Sequence, residues 1–205
     1  MPVFILGNGE SRLRYNIENL REHGKVYGCN ALYRDLSPDV LVSIDPHMTQ
    51  EIIDSGYADR HTCHFAFNNY GVHLPESCMR GEPGKSIYCG PTATRLAIHL
   101  DKPENIYLVG FDIVDTKWSN VYSGTHGYAD NRELAKRAIH AGNNIIHNPL
   151  TIEQLKDIFT EHPDITFFKI MEDHQFRYKP WEGIRNLNYL DDAQFRNILK
   201  KQISR

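Results

Sequence analysis

The sequence predicts an α/β fold: a mainly parallel sheet flanked by helices, with a long mid-chain loop and a helical C-terminal extension. Three observations lead there. Apolar runs near residues 2–6, 25–28, 40–44 and 105–109 read as buried strands. Segments with helical apolar spacing alternate with them, as the crossovers of a parallel sheet require. The runs stop at Gly7-Asn8-Gly9, Asn30, Asp45 and Gly110-Phe111-Asp112. In an open parallel sheet, such stops gather along the carboxyl edge, which makes the expected sheet Rossmann-like.

Pro2–Leu6 is the first strand. Leu13, Ile17 and Leu20 then recur at helical spacing up to His23-Gly24, where glycine suits a left-handed helix end. Lys25–Gly28 is the second strand, followed by Cys29-Asn30 and the segment Ala31–Leu36. Val40–Ile44 is the third, closed by Asp45-Pro46 because proline has no amide for another ladder bond. His47–Gly56 predicts a helix that buries Met48, Ile52 and Ile53, and His61–Phe67 a further strand. Residues 68–86, rich in Gly, Pro and polar side chains, read as a loop long enough to cover a ligand. Gly90-Pro91-Thr92 starts a helix through Leu100, and Asn105–Val109 is a buried strand. Ala129–Ala141 predicts a helix, Asn143–His147 a short strand, Thr151–Phe159 a helix and Ile165–Phe168 the last strand. Tyr178, Trp181 and Tyr189 precede a final helix, Asp192–Ile203.

With 205 residues, 40% apolar and 24% charged, the chain can build one sizeable core. A formal net charge of −3 excludes a strongly basic nucleic-acid coat. No apolar run is long enough to cross a bilayer, and the N-terminus carries no basic leader, so a cytoplasmic location is expected. Cys29, Cys63, Cys78 and Cys89 form no CxxC pair, which favours free thiols over zinc or a disulfide framework.

Gly7-Asn8-Gly9-Glu10-Ser11 is the first constellation able to carry chemistry. Its glycines allow close backbone approach to a ligand, and the expected helix presents unpaired amides to a phosphate. Asn8 can both accept and donate, which suits a ribose or a base edge. The run is not Gly-x-Gly-x-x-Gly, since Arg12 stands at the last position, and no Gly-Lys-Ser/Thr follows to make a P-loop. A plain strand–helix turn is the competing reading. Asn30, Asp45 and Asp112 end three further strands; singly they also suit a turn, a helix start and a loop cap. His126 lies in Tyr122-Ser123-Gly124-Thr125-His126-Gly127-Tyr128, where an imidazole between glycines can take a proton near neutral pH. A surface or helix-capping histidine is its alternative. His47, two residues after Asp45, suits a phosphate contact or the orientation of another side chain.

Two resemblances follow from these residues. Gly7-Asn8-Gly9-Glu10-Ser11 with Gly28-Cys29-Asn30-Ala31-Leu32-Tyr33 resembles the opening of bacterial family-42 sialyltransferases. Ala93–Leu100 and Ile106-Tyr107-Leu108-Val109-Gly110-Phe111-Asp112 are similar to that family's second-half helix and strand. The resemblance implies Asn8 and Asn30 as nucleotide contacts, His126 as general base, a CMP-sugar donor and an inverting, metal-independent reaction. Pro38–Pro46, Gly110-Phe111-Asp112 and Gly124-Thr125-His126 also resemble the motility accessory factor and 6-hydroxymethylpterin diphosphokinase-like proteins. That likeness implies Asp45 or Asp112 assisting Mg2+ where such activity exists. Glu10 departs from the related Gly-x-Gly-Pro-Ser opening and sets a negative charge beside the expected phosphate site.

The leading expectation is a nucleotide-dependent glycosyltransferase without a cofactor, moving a sugar from a CMP-sugar to an unknown hydroxyl on a small molecule, glycan or nucleic acid. Gly7, Asn8, Gly9, Ser11 and Asn30 would hold the nucleotide; His47, Tyr122 and Tyr128 would touch phosphate or substrate; His126 would be the base. The first alternative is a Mg2+-dependent diphosphotransferase acting on a nucleoside triphosphate, with Asp45 and Asp112 as catalytic metal ligands. The second is a non-catalytic nucleotide-binding or assembly protein. Residues 1–165 are expected as the nucleotide-binding catalytic domain, and 166–205 as an extension serving as lid or homo-oligomer contact.

Overall fold

The computed structural model describes residues 1–66, 72–79, 87–113, 120–130, 149–171 and 177–203. Eight strands form one sheet: β1 (Val3–Leu6), β2 (Lys25–Cys29), β3 (Val40–Ser43), β4 (Cys63–Phe65), β5 (Val72–His73), β6 (Asn105–Val109), β7 (Thr166–Ile170) and β8 (Leu187–Leu190). Their order is β5-β4-β3-β2-β1-β6-β7-β8, and every neighbouring pair is parallel. The described α-helices are α1 (Ile17–Arg21), α2 (Pro46–Asp54), α3 (Cys89–Asp101), α4 (Pro149–Glu161) and α5 (Asp192–Ile203). This is the expected α/β, Rossmann-like architecture.

The central strands are continuous apolar runs because both faces of the sheet are covered. Val3 and Ile5 point into one core with Tyr27, Leu108, Leu96 and Phe159. Phe4 and Leu6 point into the other, with Val26, Tyr107, Ile52 and Phe195. β1 is the switch point: β2 lies on one side and β6, reached by a long crossover, on the other. Leu6 is level with both Gly28 and Val109, so the loops leaving these three strands start at one height. A crevice at that place is where open α/β sheets take ligands.

Several expectations change in detail. The helix expected through Leu13 is broken into a 3-10 turn (Glu10–Arg14) and the short α1. Asn16 causes the break: its extended backbone stops the turn, and its side chain accepts from the Glu18 amide to start anew. Leu13 consequently stays 62% exposed. Ala31–Leu36 becomes a 3-10 turn over Asn30–Arg34. Within the mid-chain loop, Val72–His73 adds an edge strand beside β4. The Ala129–Ala141 helix and the Asn143–His147 strand fall, apart from residues 129 and 130, outside the described residues.

The described residues after 165 add two strands to the sheet. β7 lies between β6 and β8, and Phe195 of α5 is fully buried beside Phe4 and Tyr107. β8 escaped the sequence reading because Leu187-Asn188-Tyr189-Leu190 has no β-branched residue and little alternation. No helix among the described residues is long and apolar enough to cross a membrane. All four cysteines are free and buried.

Candidate functional site

A cavity of about 370 Å³ opens at the carboxyl ends of β1, β2 and β6. Gly7, Asn8 and Gly9 come from the end of β1, Cys29 and Asn30 from the end of β2, and Gly110 to Ile113 from the end of β6. The start of α3, Thr151 at the start of α4, and Asn120, Ser123 and Tyr128 complete the wall. The first loop is held against the sixth strand by Gly7 N–H to the Val109 carbonyl (2.8 Å) and Gly9 N–H to the Gly110 carbonyl (2.9 Å). Residues 120–128 are fastened over it: Gly9 and Asn120 form an antiparallel bridge, and Val121 N–H donates to the Asn8 carbonyl (2.8 Å).

Asn8 donates its side-chain amide to the Cys29 carbonyl at 3.1 Å, which ties the first loop to the second strand. Asn30 stands at φ +48°, a left-handed conformation that asparagine tolerates better than most residues. The side-chain oxygens of Asn8 and Asn30 are buried and have no hydrogen-bond partner among the described residues. Leaving such acceptors unmatched costs free energy, so a ligand bringing N–H or O–H donors fits this wall. Tyr128 also lines the cavity. Burial, first of all, pushes its hydroxyl up to about 12, so it remains a neutral donor at physiological pH.

Six of the eleven candidate residues therefore line one cavity: Gly7, Asn8, Gly9, Asn30, Asp112 and Tyr128. The other five are placed differently. Ser11 donates its amide (2.9 Å) and hydroxyl (2.5 Å) to Asp112, so this pair caps the 3-10 turn from the far side of the crevice. Asp45 is exposed outside the cavity and caps α2 through the His47 amide at 3.2 Å. Tyr122 is buried behind the wall, where its hydroxyl meets Arg12 (2.8 Å) and Asp35 (2.8 Å). Arg12, at the position where a dinucleotide fingerprint would carry glycine, is 4% exposed and anchors the 120–128 loop.

His126 and His47 lie outside the cavity; His47 belongs to the first turn of α2, and His126 packs against that helix. Their rings meet edge to face with centroids 4.7 Å apart. His126 Nδ1 is 2.8 Å from Glu51 Oε2, and its side chain is 69% exposed. Glu51 also accepts from the Tyr33 hydroxyl (2.6 Å) and from Arg34 Nε (2.8 Å) and Nη2 (2.7 Å). Burial alone would raise the Glu51 carboxyl, but the hydrogen bonds from Tyr33, Arg34 and His126 outweigh it and hold the group at about 2. Sequence reasoning missed Arg34 and Glu51 because their partners lie up to 92 residues away and each suits an ordinary solvated face.

A depressed carboxyl contributes stability that is present above its ordinary value and lost as pH falls through its folded value. For Glu51 that window runs from 4.5 down to about 2. Chemical denaturation at a series of pH values should show a steeper acid loss for wild type than for Glu51→Gln across this window. Identical slopes would mean that Glu51 is not gripped as described.

No protein-family model and no curated protein sequence matches this chain. The fold is similar to that of the sialyltransferase CstII from Campylobacter jejuni in complex with the substrate analogue cytidine-5′-monophosphate. That likeness has a TM-score of 0.54 and 15% identity, covering 82% of this chain and 79% of that one. A second structure, sialyltransferase CST-II with a trisaccharide acceptor and CMP, gives a TM-score of 0.52 at 14% identity, covering 82% and 80%. Likeness at this identity shows a common fold.

Proposed function

We propose that the chain is a nucleotide-dependent glycosyltransferase that takes a CMP-sugar donor. The observation that carries the reading is the cavity at the β1/β6 switch point. It gathers the glycine turn, two asparagines with unmatched buried oxygens, and the neutral hydroxyl of Tyr128 in one wall. Asn8 and Asn30 accept from ribose hydroxyls or an exocyclic amine, and the backbone around Gly7 and Gly9 admits the phosphate closely. Tyr128 donates to the leaving phosphate and offsets its growing charge. The fold shared with CMP-bound sialyltransferases supports a cytidine donor over other nucleotides.

In this reading the acceptor hydroxyl attacks the anomeric carbon, and the bond to phosphate breaks with its electron pair leaving on CMP. His126 takes the acceptor proton. Its exposed ring lies in the loop that supplies Ser123 and Tyr128 to the cavity, where an acceptor arriving from solvent would pass. Diphosphotransfer is less well supported: Asp112 already receives two donors from Ser11, and Asp45 lies outside the cavity. These two residues do not fit a shared Mg2+ site, and no group of three metal-binding side chains converges among the described residues.

Native mass spectrometry with CMP-sugars, other nucleotide-sugars and ATP–Mg2+ tests the donor. Retention of CMP-sugar without metal is expected; exclusive Mg2+-dependent ATP binding would reject the reading. Asn30 gives a finer test by calorimetry. Its replacement should weaken donor binding by about 1–3 kcal/mol, the cost of a lost buried hydrogen bond. Asn30→Gly is the cleaner variant, since alanine would add backbone strain at this positive φ. Unchanged affinity in folded Asn30→Gly would remove Asn30 from the contacts.

A further inference from the structure

The geometry points to Glu51 as the positioning residue for His126, fixing the ring with its proton on Nδ1 and the lone pair of Nε2 free for an incoming hydroxyl. This rests on the reading of His126 as the base. The tautomer follows from donor and acceptor chemistry. Glu51 already accepts from Tyr33 and twice from Arg34, and a carboxylate in that setting stays ionised and can only accept. The ring nitrogen 2.8 Å away must therefore carry the hydrogen. In a neutral imidazole the other nitrogen is then the acceptor. Among the described residues, Nε2 has no hydrogen-bond partner.

The backbone of His126 is held by the same pair. Arg34 Nη2 donates to the His126 carbonyl (2.9 Å), and Nη1 donates to the Thr125 hydroxyl (2.9 Å). Arg34 also lies near the rings of Tyr122 and Tyr128, with its guanidinium carbon 5.7 and 6.0 Å from their centroids. Ring, backbone and cavity wall thus share one support. His47 bounds the ring on its remaining flank. An exposed histidine–carboxylate pair contributes little stability by itself. Four hydrogen bonds converging on one carboxylate to orient a ring 69% open to solvent are better matched to use of that ring.

Loop anchoring alone is the rival explanation, and the ring nitrogens separate the two. Long-range 1H–15N spectra of the full chain, at a pH where His126 is neutral, should show the Nδ1–H form in wild type. Glu51→Gln keeps the shape but can offer either an oxygen or an NH2, so the spectrum should move toward mixed tautomers. Thr125→Ala loosens the loop without touching Glu51 and should leave the tautomer as in wild type. With a CMP-sugar and a hydroxyl acceptor, Glu51→Gln should lower kcat about 10–100-fold, by analogy with the loss of a group that orients a metal-binding histidine. Donor affinity should not change. An Nε2–H ring in wild type, or an unmoved tautomer in Glu51→Gln, overturns the positioning role. Should Glu51→Gln fail to fold, Glu51→Asp keeps the charge but draws the carboxylate back from Nδ1 by one methylene and must shift the same spectrum toward mixed tautomers. Correct tautomers with no sugar transfer would instead overturn the glycosyltransferase reading, since the spectra need no substrate.

Discussion

His126→Ala should lower the rate of sugar transfer by about 10²–10⁴-fold, the usual contribution of a positioned proton acceptor. Affinity for the donor nucleotide should remain that of wild type. The separation follows from where the ring lies. None of the cavity wall is built by the His126 side chain, so truncating it removes nothing that a nucleotide in the cavity would touch. Arg34 holds this segment through the His126 carbonyl and the Thr125 hydroxyl, both of which survive the substitution. A fall in kcat without a change in donor Kd is the expected signature. Wild-type turnover by a folded variant would eliminate His126 as the base and leave the proposal of a nucleotide in the cavity standing. Loss of donor binding would show that the loop, rather than the ring, had been damaged.

The sheet was legible because its central strands are continuous apolar runs, and only a sheet covered on both faces needs such runs. The carboxyl-edge site was legible for the same reason: Gly7-Asn8-Gly9, Asn30 and Asp112 interrupt those runs at equal register. What sequence could not supply was the direction of side chains beyond the strand ends. Tyr122 and Tyr128 look equivalent in sequence, yet one is pulled behind the wall by Arg12 and Asp35 while the other faces the cavity. Asp45 and Asp112 likewise both follow strands; the first caps its own helix, the second the 3-10 turn of another loop. Arg34 and Glu51 are 17 residues apart, but what gives the pair its place is its links to Thr125 and His126, 75 to 92 residues away, and these leave no local pattern to read.

Gly7→Ala should be among the most damaging single changes to the proposed nucleotide site. The reason is proximity rather than conformation. A Cβ at position 7 would lie 2.5 Å from the Gly110 carbonyl oxygen and 3.1 Å from its carbon. The obstacle is the backbone leaving β6, which cannot swing aside as a side chain would. The two strands must separate just where Gly7 N–H donates to Val109 and Gly9 N–H to Gly110. Overpacking commonly costs about 1–3 kcal/mol, and contact with backbone places this case at or above the upper end. For a domain of this size that corresponds to a fall in Tm of about 6–12 °C. Gly183→Ala provides the contrast. Gly183 stands at φ +82° with nothing within 4 Å of an added Cβ, so it bears only conformational strain of about 1–2 kcal/mol. Scanning calorimetry should rank Gly7→Ala below Gly183→Ala, and only the former should lose CMP-sugar binding by calorimetric titration. Equal melting of the two variants, or intact donor binding in Gly7→Ala, would mean that the close approach of the first loop to β6 does not form the nucleotide site.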